Sequence, residues 1–210
     1  MRKHLHLIGL VGSLRAHSYN RGLMEAAREL LPEGLGLENF PLGIIPPYNE
    51  DVRVGGFPEP VAQLRQKIAT ADGILIATPE YNYSFPGILK NAIDWISRPP
   101  DQPFLDKPIA IMGASASLFG TVRAQMHLRQ VFVTLDAKLL QRPEIIVPDA
   151  THKFDAEGRL TDTATRDLIR TWLVAFEKWI RRLTPCLAHP ADHDRGTETL
   201  AARGALSHHA

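Results

Sequence analysis

A chain of 210 residues has room for one α/β domain of about 180 residues and a tail, and none for a second enzymatic domain. Lys and Arg number 24 against 23 Asp and Glu, and a net charge of +1 builds no field suited to nucleic acid or an anionic membrane surface. Cys186 is the lone cysteine, which excludes an internal disulfide framework and fits a reducing cytoplasm, and no stretch approaches the roughly 20 apolar residues that span a bilayer.

Apolar runs alternate with helical patterns from the start of the chain, the arrangement of parallel strands joined by crossover helices. Met1-Arg2-Lys3-His4 has the charge of a signal-peptide start. The run that follows, residues 5–11, is interrupted by His6 and leads into a polar loop rather than a cleavage site, so a cytoplasmic protein is expected. Strands are predicted near 4–11, 36–40, 73–78, 107–113 and 139–147, and helices near 20–31, 59–71, 87–97, 121–135 and 162–183. Residues 41–60, rich in Pro and Gly, read as a long connection. Leu168, Ile169, Trp172, Leu173, Phe176, Ile180 and Leu183 form one apolar stripe along the last helix. Five strand–helix units predict a flavodoxin-like α/β three-layer sandwich with a five-stranded parallel sheet of order 2-1-3-4-5, its switch point between strands one and three. The domain is expected over residues 1–183, with 184–210 as a disordered or loosely attached tail.

Two loops follow the strands that flank the switch point. Gly12-Ser13-Leu14-Arg15-Ala16-His17-Ser18-Tyr19-Asn20 leaves the first strand and enters a helix, whose unpaired N–H groups and positive dipole end form an anion site. Ser13, Ser18 and Asn20 can donate to phosphate oxygens and Arg15 supplies a fixed cation. Simple capping of the helix by Ser18 or Asn20 is the competing reading. The third strand runs into Pro79-Glu80-Tyr81-Asn82-Tyr83-Ser84-Phe85-Pro86-Gly87. Here two tyrosine rings with polar tips, an asparagine amide and a turning backbone match a planar heterocycle such as a flavin. Packing at a subunit interface is the alternative for Tyr81 and Tyr83. GxGxxG and GxxxxGK[ST] are both missing, against a dinucleotide fold and a P-loop.

Residues 79–95 together with 12–20, 120–123 and 127–130 resemble the NADPH-dependent FMN reductase family, within it the bacterial chromate and quinone reductase branch, over roughly residues 4–183. The resemblance implies that Ser13, Arg15, Ser18 and Asn20 hold the FMN phosphate and that Pro79, Glu80, Tyr81, Asn82, Tyr83 and Ser84 border the isoalloxazine. It further implies that Ser115 and Ser117, in the loop after the fourth strand, lie where the family closes over the pyrimidine edge. The activity implied is FMN-dependent transfer of hydride from NADPH or NADH to quinones, with chromate, azo or nitro compounds as further acceptors. No catalytic side chain is required, because the flavin carries the chemistry. A homodimer or homotetramer follows from the resemblance alone. A non-enzymatic flavodoxin-type electron carrier and a flavin-binding regulatory protein are the alternatives, the carrier disfavoured by the near-zero net charge.

Three further patterns are set aside. Residues 113–120 nearly spell the G-x-S-x-G nucleophile elbow, but Ser117 stands where the last glycine belongs. Arg123, His127 and Arg129 are expected on a solvated or interfacial helix face. Cys186, His189 and His193 have metal-like spacing but lack a fourth ligand, and no metal is expected.

Overall fold

A computed structural model describes residues 4–187. Strand β1 (Leu5–Val11) leads to helix α1 (Tyr19–Glu29) and β2 (Leu35–Phe40). A connection holding the short helix α2 (Glu50–Val54) reaches α3 (Glu59–Thr70), then β3 (Gly73–Ala77) and α4 (Gly87–Ile96). β4 (Pro108–Ala114) is followed by α5 (Val122–Thr134), two short strands β5 (Lys138–Leu139) and β6 (Ile145–Val147), and the long α6 (Thr163–Leu187).

All pairings are parallel and the order is β2-β1-β3-β4-β5. β6 also pairs with β4, so the single fifth strand expected over 139–147 is split in two. β5 runs beside the start of β4, Leu140 donates one more bond to Ile109, and the chain then leaves the sheet through Pro143, which has no N–H for a ladder. It returns to pair Ile145 with Met112, alongside the far end of β4.

Strand side chains alternate between two cores. Leu5, Leu7, Leu75, Ala77, Ala110 and Met112 pack under α1 and α6, where Trp172, Leu173 and Phe176 are fully buried. Ile8, Leu10, Ile74, Ile76, Ile109 and Ile111 pack under α3, α4 and α5. Each large side chain buried this way contributes about 1.5–3 kcal/mol, so the sheet is held from both faces. The helix expected to end at 183 runs on to Leu187; His189 and His193 lie outside the described residues, as does the side chain of Cys186. The 41–60 connection is strapped to α4: Asn91 Nδ2 and Trp95 Nε1 both donate to the Pro46 carbonyl, and the Tyr48 N–H donates to Asn91 Oδ1.

One close approach fixes how the strand ends meet. A Cβ on Gly113 would lie 2.1 Å from Thr121 Oγ1 and 2.4 Å from the Thr78 carbonyl oxygen, so no side chain fits between β4, the end of β3 and the start of α5. Gly113→Ala is expected to destabilise the fold by about 1–3 kcal/mol in urea unfolding, as overpacking does; a change within about 0.5 kcal/mol would show that the three segments separate freely.

Candidate functional site

Loops after β1, β3 and β4 leave the same edge of the sheet and are tied to one another. Gly12 donates to the Ala77 carbonyl at 2.8 Å and lies alongside Pro79 and Pro86, where an added Cβ would make ordinary contacts of 3.4 and 3.5 Å. Beyond the last β3–β4 pair, Ala77 with Met112, β4 has no strand beside it on that side. Asn20 takes the strand's place: its Nδ2 donates to the Ala114 carbonyl and its Oδ1 accepts from the Ala114 N–H, both at 2.9 Å. The residue is 2% exposed. Asn20, expected as a phosphate donor, is a brace between the first helix and the fourth strand, because Ala114 would otherwise bury an unpaired donor and acceptor.

In the first loop, Ser18 caps α1 by accepting from the Asn20 N–H at 3.2 Å. Ser13 is buried, and its hydroxyl has no partner among the described residues. None of the backbone N–H groups of residues 13–19 reaches an acceptor among the described residues. Arg15 is exposed and unpaired in the same set. A row of unpaired donors at a helix N-terminus, with an exposed guanidinium in the same loop, has the chemistry that suits an anion.

The second loop is a hairpin. Tyr81 and Ser84 exchange backbone hydrogen bonds of 2.8 and 3.0 Å, and the residues between them, Asn82 and Tyr83, have φ of 48° and 66°. Two positive φ values in succession define the type I′ turn, which Asn tolerates and Tyr does not. A bulky residue held there costs about 1–3 kcal/mol and persists only when its surroundings over-determine it. Both tyrosine rings are open to solvent, Tyr81 at 49% and Tyr83 at 67% exposure. The N–H groups of Glu80, Asn82 and Tyr83 have no acceptor among the described residues.

Pro79 is buried against Gly12, and the Glu80 side chain is only 6% exposed. Its carboxylate turns away from the hairpin tip to accept from the N–H groups of Arg123 and Ala124, both at 3.0 Å, and pairs with the Arg123 guanidinium. Glu80 therefore borders the opening with its backbone while its side chain caps α5. On α5, expected to present a solvated or interfacial face, His127 is exposed, and the face meets the hairpin: the Arg123 guanidinium lies 3.9 Å from the Tyr83 ring centroid, and His127 Nδ1 is 3.1 Å from Ser84 Oγ. Their spacing of four on α5 was a readable signal for a shared face, but not for what that face holds.

The third loop comes alongside through its backbone. Ser115 donates to the Val147 carbonyl at 3.1 Å, and its hydroxyl accepts from the Ser117 N–H at 3.1 Å. Both serine hydroxyls shape the turn, with Ser117 Oγ 3.4 Å from the Gly120 carbonyl, and Leu118 and Phe119 stand exposed beside it. No group of three or more His, Cys, Asp or Glu among the described residues is placed to hold a metal. No helix among them is long and apolar enough to cross a membrane.

A flavodoxin-like sheet with an anion cradle and an aromatic hairpin at its switch point defines a nucleotide-type cofactor protein. Residues 5–152 match the family model for NADPH-dependent FMN reductase, and the chain belongs to that family of flavin-dependent oxidoreductases. It is 51% identical over 183 residues to an NAD(P)H-dependent FMN reductase of Pseudomonas aeruginosa, covering 87% of this chain and 99% of that one. It is 41% identical over 186 residues to a quinone reductase of Escherichia coli, with the same coverage. Among solved structures it resembles FerB, a flavoenzyme NAD(P)H:(acceptor) oxidoreductase from Paracoccus denitrificans, with a TM-score of 0.78 at 34% identity, covering 85% of this chain and 98% of that one.

The brace makes a prediction that a ligand-only role for Asn20 does not. In cofactor-free protein, Asn20→Ala is expected to lower the unfolding free energy by about 2–3 kcal/mol, since it strands a buried N–H and carbonyl. Unchanged stability of the cofactor-free variant would return Asn20 to the role of a ligand donor.

Proposed function

We propose that the protein holds FMN across the three loops and uses it to carry electrons from NAD(P)H to a quinone. The observation that carries this reading is the row of unpaired N–H groups at residues 13–19 on the same sheet edge as the exposed Tyr81–Tyr83 hairpin. The donor set fits the cofactor at both ends. Unpaired amides, the partnerless Ser13 hydroxyl, the Ser18 hydroxyl and the Arg15 guanidinium suit a phosphate dianion. The free N–H groups of Glu80, Asn82 and Tyr83, with two aromatic rings, suit a planar ring with polar edges.

Bound FMN supplies the two-electron chemistry, and the protein contributes binding, orientation and electrostatics. The free backbone donors of the hairpin are preorganised to stabilise negative charge that develops at the ring's polar edge. Tyr81, Tyr83, Leu118 and Phe119 form an apolar rim against which a flat quinone or a nicotinamide can stack. Relatives named as quinone reductases and as 2-hydroxy-1,4-benzoquinone reductase support a quinone as acceptor. We further propose a homo-oligomer in the cytoplasm. Val122, Met126 and Val133 are exposed along α5, the helix that starts beside this rim, and a second copy would cover them.

Arg15→Ala is expected to weaken FMN binding by about 1.5–3 kcal/mol and to leave riboflavin, which lacks the phosphate, unaffected in fluorescence titration. Equal loss for both ligands would place the phosphate elsewhere. Nicotinamide and quinone occupy the one rimmed opening in turn, so steady-state rates with NADPH and a benzoquinone should give parallel double-reciprocal lines. Intersecting lines would require both to bind at once and would contradict the shared opening.

A further inference from the structure

We infer that Arg123, assisted by His127, is the positioning residue for the ring-binding hairpin: α5 clamps residues 80–84 from one side and holds Tyr83 in its strained turn. The inference rests on the proposed FMN reading, and it adds residues from an element outside the three loops.

The clamp begins with an unfinished helix. Thr121, the residue before α5, makes no side-chain capping bond, because its hydroxyl accepts from Gln125 Nε2 at 3.0 Å. The missing acceptor comes from Glu80, whose carboxylate takes the N–H groups of residues 123 and 124, a favourable position for a negative charge at a helix N-terminus. Arg123 then folds back on the same carboxylate through Nε and a terminal nitrogen. With Glu80 neutralised, the guanidinium plane is left over the Tyr83 ring, with the Phe119 ring centroid 5.1 Å away. One helical turn on, His127 meets Ser84, the other end of the hairpin. Arg123, through Glu80 and the Tyr83 ring, and His127, through Ser84, thus hold the segment 80–84, in which Asn82 and Tyr83 have positive φ. This is the over-determination that a tyrosine at φ 66° needs.

The consequence concerns the ring end of the cofactor alone. A hairpin free to leave the type I′ turn would present the Asn82 and Tyr83 N–H groups in many orientations, and a ligand would have to order them on binding. In Arg123→Ala the backbone N–H groups at 123 and 124 still meet Glu80, so the helix keeps its cap.

Titration of cofactor-free protein with FMN and with riboflavin, alongside thermal unfolding, tests the clamp. Arg123→Ala is expected to raise both dissociation constants by the same factor, about three- to thirtyfold for a lost cation–π stack, while Arg15→Ala affects FMN only. Arg123→Lys keeps Glu80 neutralised but loses the flat plane over Tyr83, so it should recover the melting temperature without recovering full ring affinity. His127→Ala should raise both constants by about three- to tenfold. Unchanged riboflavin affinity in a folded Arg123→Ala overturns the clamp. So does a Lys variant that restores stability and affinity together, which would reduce Arg123 to a counter-charge for Glu80. If the wild type binds neither flavin, the proposed function fails and takes the clamp with it. Binding by the wild type with no effect in the variants sinks the clamp alone.

Discussion

β4 extends past β3 by two residues, and the N–H and carbonyl of Ala114 at its end need partners that no strand provides. Asn20 supplies both, and much of the site depends on that bridge. It docks the first turn of α1 against β4, which sets where Ser13, Arg15 and Ser18 stand relative to the loops after β3 and β4. Gly12 against Pro79 and Gly113 against Thr78 then close the remaining gaps. Three loops from three strands become one surface because the backbone polar groups at the sheet's edge have to be satisfied somewhere.

Carboxylate, helix and hairpin are linked in the same economical way. A helix without its own cap takes Glu80, Glu80 takes Arg123, and the neutralised guanidinium is left over an aromatic ring in a strained turn. A buried Glu80 lacking these partners would be a large liability. The net charge of +1 gives no overall field to steer a ligand, so local groups must do so.

Strand alternation and helix periodicity made the layers and the order 2-1-3-4-5 legible, since burial on two faces leaves a continuous apolar run and the last helix shows a plain stripe. The two switch-point loops were legible as well, because Ser, Arg and Tyr after a buried strand have few structural uses. What escaped was pairing at a distance. Asn20 reads as a phosphate donor until Ala114, 94 residues away, claims its amide. Glu80 reads as part of a ring-facing motif until its carboxylate is found on α5. That Arg123 and His127 face the hairpin could not be read from the sequence, because residue identity does not reveal its turn type: Asn-Tyr is a poor type I′ pair, and tertiary contacts impose the conformation. The split fifth strand was hinted at by Pro143, whose effect on the ladder outweighed the apolar residues around it.

Hydrogen exchange on the backbone amides with and without FMN tests the central claim most directly, since the claim is that three separate loops form one site. Amides at residues 13–19, 80–84 and 115–119 should gain protection together, saturating at one FMN per chain, with the α3 surface unchanged. Protection confined to one of the three loops, or appearing at another edge of the sheet, would contradict the account.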